Sequence, residues 1–160
     1  MFTIGDKIVY PMHGAGVIEA VEEKKILGEL RKYYIIKVPF GDMKIMIPCD
    51  TSDVIGVRQV ISPKETHRVM EILSNESTAM PDNWNRRYRE NMAKLRKGDT
   101  ANVAEVVRNL MRVDRVKKLS TGEKQMLTNA KQILISELTL SVDEEAAILE
   151  NRIEKTVCGL

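Results

Sequence analysis

The chain has 160 residues, 43% hydrophobic and 30% charged, with 25 Lys+Arg against 23 Asp+Glu, which fits one large domain or two small ones and excludes a disordered chain. Aromatics make up only 4%, so Leu, Ile, Val and the nine Met must fill the core. Cys49 and Cys158 lack CxxC spacing and histidine company, which argues against a disulfide framework or zinc site. There is no basic-then-apolar leader and no apolar run of bilayer length, so a cytoplasmic protein with no membrane partner and no cofactor is expected.

The first sixty residues read as strands: Lys7-Ile8-Val9-Tyr10, ended by Pro11, then Val17 to Val21, Tyr33 to Val38 and Met43 to Pro48. Gly14-Ala15-Gly16 has turn chemistry, Gly28 breaks the chain, and Gly41-Asp42 makes another turn. One more short strand is expected between Val54 and Val60. Short β-rich runs separated by Gly and Pro predict a small antiparallel barrel over residues 1–61.

The period changes at Ser62-Pro63. Ser62 can cap a helix over 63–73, with Pro63 in its first turn and Glu65 three residues on. Residues 75–82 are polar, hold Pro81 and read as a linker. A helix over 83–96 places Trp84, Tyr88, Met92 and Leu95 on one arc, with Arg86, Arg87, Arg89, Lys94, Arg96 and Lys97 around the rest. Gly98 ends it. Asp99 or Thr100 caps a third helix, to about 117, that buries Val103, Val106, Val107 and Leu110. On this helix Arg108, Arg112 and Arg115 line another face. Ser120-Thr121-Gly122-Glu123 is a capping box for a helix to about 139, and Ser141-Val142-Asp143-Glu144 reads as a second. The last helix, to about 156, shows Ala147, Ile148 and Ile153 as its apolar face. Residues 62–160 therefore form a compact helical bundle, and the fold class is α+β.

Charge is unevenly distributed. Residues 84–131 carry thirteen Lys+Arg and five Asp+Glu, net +8, whereas 137–160 carry two basic and six acidic residues, net −4. Few acidic residues stand at i±4 to neutralise the basic helices, so a polyanion site is indicated over a plain solvated surface.

Catalytic constellations fail. His13 sits in a turn, His67 on a helix, and neither has a Ser or Cys at a telling spacing. Gly14-Ala15-Gly16 precedes strand-like residues rather than a helix, so it is no phosphate cradle. The adjacent pairs Glu22-Glu23 and Glu144-Glu145 point apart. No enzyme is expected. Trp84 is the sole tryptophan. Ringed by arginines it suits nucleic acid, while its arc equally suits a cap on the bundle core, and both readings stand at this point.

Four ordered motifs resemble the CarD/CdnL family of bacterial transcription regulators: Gly5-Asp6-Lys7-Ile8-Val9-Tyr10-Pro11-Met12-His13-Gly14-Ala15-Gly16; Asn83-Trp84-Asn85-Arg86-Arg87-Tyr88; Gly98-Asp99 leading to Val103 through Leu110; and Leu119 through Lys124 with Met126-Leu127. The resemblance covers essentially the whole chain. It implies a Tudor/SH3-like barrel that docks on the RNA polymerase β subunit by strand addition, and a helical DNA-binding half that meets promoter DNA at the upstream edge of the melted bubble. It further implies that Trp84 is a minor-groove wedge, with Arg86, Arg87, Arg89 and Lys124 as basic neighbours. On the polymerase side it points to Lys24 as a basic contact. Met46 stands where some members carry an arginine; either the grip there is apolar or Lys44 compensates. The expected function is stabilisation of the open promoter complex with little sequence preference. The competing reading is a protein–protein adaptor whose basic bundle meets an acidic partner without touching DNA.

Overall fold

The computed structural model describes residues 2–39 and 43–159. Runs of Ile, Val and Tyr build a five-stranded antiparallel sheet: β1 (Lys7–Tyr10), β2 (Gly14–Ile26), β3 (Glu29–Lys37), β4 (Lys44–Pro48) and β5 (Arg58–Gln59), in spatial order β4-β3-β2-β1-β5. One face buries Ile8, Ile18, Tyr34, Ile36 and Ile47 together with Val57. Such β-branched and aromatic side chains pack well on a pleated, half-buried surface.

Two local expectations change. Gly14-Ala15-Gly16 is not a turn but the start of β2, paired with Tyr10, Val9 and Ile8. Its glycines serve close packing: a Cβ on Gly16 would collide with the Ile36 side chain and stand 2.7 Å from the Lys37 carbonyl oxygen. The turn falls on Pro11-Met12-His13 instead, where Met12 takes φ 72° and the His13 amide donates to the Tyr10 carbonyl at 2.9 Å. The expected strand over 54–60 shrinks to β5, because the short helix α1 (Ser52–Ile55) occupies its start and is closed by left-handed Gly56. The expected Gly41-Asp42 turn lies outside the described residues.

The second half contains α2 (Pro63–Ser74), α3 (Trp84–Lys97), α4 (Thr100–Val116), α5 (Thr121–Val142) and α6 (Ala146–Cys158). Side-chain oxygens of Ser62, Asn83, Asp99 and Ser120 accept from the backbone amides of Glu65, Arg86, Asn102 and Glu123, which satisfies donors the helices leave free. The bundle core is built on Leu73, Leu95, Val106, Leu110, Leu134, Leu138, Leu149 and Ile153. α5 is the central element. Residues Ile133 to Leu138 are buried without interruption, because α4 and α6 cover one side and β2 the other. Where α5 meets β2, the Ala15 amide donates to Ser136 Oγ at 2.9 Å.

The second capping box does not form. α5 continues through Ser141 and Val142, the Ser141 hydroxyl lies 2.6 Å from Thr66 Oγ1 of α2, and Asp143 in the left-handed region ends the helix. α6 starts later, after Glu145, and buries Leu149, Ile153 and Val157 at four-residue spacing; Ala147 and Ile148 face solvent. Among the described residues no helix is long and apolar enough to cross a membrane.

Candidate nucleic-acid interface

Trp84 opens α3. Asn83 caps the helix, its Oδ1 accepting from the Arg86 amide at 3.1 Å, so the indole stands on a fixed first turn. Further along, Arg87, Asn91 and Leu95 are buried and Tyr88 and Met92 half-buried, since α4 and α5 pack there. That cover fades before the first turn. Trp84 is 51% exposed, an apolar plate at the rim of the bundle rather than a sealed core residue.

The arginines beside it part ways. The Arg86 side chain is 69% exposed and 3.8 Å from Glu90, a contact too long for a hydrogen bond. Arg89, Arg96, Lys97 and Lys124 are also exposed. Arg87 turns inward and is 6% exposed. Its Nε and Nη2 donate to Oε2 and Oε1 of Glu123 at 2.6 and 2.8 Å. Glu123 is fully buried; its Oε1 accepts from the Ser120 amide at 3.4 Å, which closes the capping box, and from the Ser120 hydroxyl at 3.0 Å. The Arg87 hydrogen bonds hold the Glu123 carboxyl below the usual carboxylate range, against the opposing push of burial. Glu123 raises the Arg87 guanidinium in turn. The expectation of Arg87 as a free phosphate ligand is therefore corrected: its donors are spent inside. The pair instead ties the first turn of α3 to the first turn of α5. Exposed Lys124, next to Glu123, is thereby placed at the same end of the bundle as Trp84. Both helix starts add partial positive charge to that end.

The Arg108/Arg112/Arg115 stripe is corrected too. Arg108 is buried, donating to the Ile72 carbonyl at 2.8 Å and to Asn109 Oδ1 at 3.1 Å; burial lowers its pKa. Arg112 donates to the carbonyls of Val157 (3.0 Å), Asn75 (2.6 Å) and Leu73 (3.3 Å) and to Ser77 Oγ (3.1 Å). Asn109 holds Thr78 through its Oδ1 and Nδ2. These side chains add donors to carbonyls at the ends of α2 and α6 and pin the segment that leads to Asn83. Only Arg115 of the stripe is open to solvent, with Lys117 and Lys118 beyond it.

On the sheet, Lys24 pairs with Arg31, Met46 with Ile35 and Lys44 with Lys37. Arg31, Ile35 and Lys37 alternate on one side of β3, so all three candidates share the face opposite the barrel core. Met46 and Lys44 are exposed on β4, an edge strand of the sheet. Lys44 pairs with Glu19 at 3.0 Å and Lys24 approaches Glu22 at 3.7 Å.

Comparison with known proteins bears on what this arrangement is. A family model described as "CarD, C-terminal domain" matches residues 68–154, and one described as "CarD-like/TRCF RID domain" matches residues 2–61. The chain belongs to the CarD family. A relative from Bacillus subtilis (strain 168), YdeB, named as a candidate transcription factor, is 44% identical over 138 residues, 86% of this chain and 90% of the relative.

In this CarD-family chain the structure brings Trp84, Arg86 and Lys124 to one end of the bundle through the Arg87–Glu123 pair, which the sequence did not reveal. Glu123 was legible as half of a capping box, but its second role, as partner to Arg87, depends on how two helices dock. The spacing of Arg112 pointed to a basic surface stripe and nothing local marked Asn109 as a tie to Thr78; those partners lie more than thirty residues away in sequence.

Proposed function

We propose that this chain is a transcription factor that anchors to RNA polymerase through its sheet and stabilises the open promoter complex with its helical half. The observation that carries the reading is Trp84: an indole half exposed on a braced helix start, with the exposed side chain of Arg86 beside it. An inserted aromatic must offset an unstacking cost of a few kcal/mol. Stacking on a base returns about 1–3 kcal/mol. The balance favours a duplex that is already opening, as at the upstream edge of a bubble. Arg86, Arg89 and Lys124 then meet phosphates, which adds affinity without reading sequence.

The anchor is the β subunit of the polymerase. β4 is one of the two edge strands and offers main-chain groups for strand addition. Lys24, Lys44 and Met46 lie on one face of the same sheet and supply side-chain contacts, with Met46 making an apolar grip. Tethering raises the local concentration of the wedge, so weak DNA affinity suffices. Binding the open state better than the closed one shifts the equilibrium by linkage. No step in this account is chemical, so the protein works as a binder rather than an enzyme. The test is Trp84→Ala. It should shorten the open-complex half-life severalfold while polymerase binding and fold persist. An unchanged half-life in a folded variant removes the wedge.

A further inference from the structure

Glu137 is a carboxylate with 2% exposure near the far end of α5. Arg58 of β5 donates to it in bidentate fashion, Nη1 to Oε2 at 2.7 Å and Nη2 to Oε1 at 2.9 Å. The Thr100 hydroxyl at the start of α4 donates to Oε1 at 2.7 Å, and the Ile61 amide donates to Oε2 at 3.0 Å. Arg58 Nε donates to the carbonyl of Gly98, the residue that ends α3. Pro11, just past β1, packs on the same glycine, 3.2 Å from where a Cβ would stand.

The wedge helix is therefore held at both ends. Arg87–Glu123 fixes its start, and Arg58 grips its end. Both carboxylates belong to α5, fourteen residues apart, about 21 Å along the axis. Five segments meet at Glu137 and Arg58: β5, the Ile61 amide after it, the end of α3, the start of α4, and α5. Apolar packing tolerates sliding and rotation. Bidentate, directional bonds to a carboxylate that is itself buried do not. An ion pair on a buried carboxylate is also a poor source of stability, because desolvation of that partner offsets the attraction, which leaves the fixing of a geometry as its use.

We propose that Arg58, Thr100 and Glu137 are positioning residues that lock the sheet and the wedge helix into one rigid body, so that the sheet's anchorage on polymerase dictates where Trp84 meets DNA. This rests on the proposed function, but its structural half stands apart from it.

The test uses the full chain with Glu137→Gln and the double variant R58M/E137L. The double variant removes both charges and so avoids an unpaired buried ion if the single variant unfolds. Residual dipolar couplings report whether the two halves share one alignment tensor; open-complex half-life and polymerase affinity report function. The expected result is two folded halves that no longer share a tensor, unchanged polymerase affinity, and a half-life reduced about five-fold. A single shared tensor in the double variant overturns the proposal, since the remaining contacts of α5 with the sheet, the Ala15–Ser136 hydrogen bond among them, would then set the geometry. A lost tensor with an unchanged half-life overturns it as well. If the unaltered protein fails to lengthen the half-life, the proposed function falls, and the tensor measurement still decides the lock.

Discussion

Arg87 and Arg86 are sequence neighbours with opposite fates, and Arg87→Ala exposes the difference. The substitution leaves Glu123 with no exposure and without its two charge-assisted hydrogen bonds of 2.6 and 2.8 Å. Breaking a buried pair from one side costs about 3–5 kcal/mol, a large part of the ~5–15 kcal/mol that holds a domain together. In a chain of this size the melting temperature should fall by on the order of 10 °C. The loss depends on pH. Arg87 holds the folded Glu123 carboxyl below its unfolded value of about 4.3. The pair's contribution is therefore complete above that pH and is lost as pH falls through the depressed folded value. In the variant, protonation relieves the buried charge. The stability gap between the two proteins should be widest near neutrality and narrow in acid. Arg86→Ala, by contrast, should leave stability within about 0.5 kcal/mol and lower the salt slope of DNA association by roughly one phosphate contact. Urea titrations over a pH series and salt titrations on polymerase–promoter complexes measure both. A folded Arg87→Ala with near-native stability and a reduced salt slope would refute the assignment, because Arg87 would then be a phosphate ligand.

Trp84→Ala should cost under about 1 kcal/mol of stability, as expected for a half-exposed side chain, by thermal unfolding. Arg112→Ala should destabilise by about 2–4 kcal/mol, with hydrogen exchange accelerated over residues 73–78, where its acceptors lie. Gly16→Ala should cost about 1–3 kcal/mol in a denaturant titration, since the Lys37 carbonyl at 2.7 Å is backbone that cannot rotate aside.

Elements were legible wherever their signal is local. The caps at Ser62 and Ser120 are read from side chains a few residues apart, and both form; of Asp99 and Thr100 it is Asp99 that caps α4, while the Asn83 cap of α3 was not read from the sequence. Ser141 carried the same local pattern and failed, because a contact with Thr66, seventy-five residues away, keeps the hydroxyl inside a continuing helix. The apolar spacing of α4 was plain, whereas its arginines looked alike. A guanidinium reaches equally well to water, a carboxylate or a helix-end carbonyl, so periodicity cannot sort Arg115 from Arg108 and Arg112. Trp84 was ambiguous for a related reason. Its arc leads into the core, and only the place where α4 and α5 cease to cover α3 decides that it stays half in solvent. The junction of Arg58, Thr100 and Glu137 left no trace in the sequence, since each residue is unremarkable in its own element.

The most direct measurement places a photo-crosslinking amino acid at position 84 and irradiates the polymerase–promoter open complex. The account predicts crosslinks to DNA at the upstream edge of the bubble, present only when polymerase is bound and weakened by added salt. Crosslinks confined to protein, or to duplex DNA irrespective of polymerase, would contradict it.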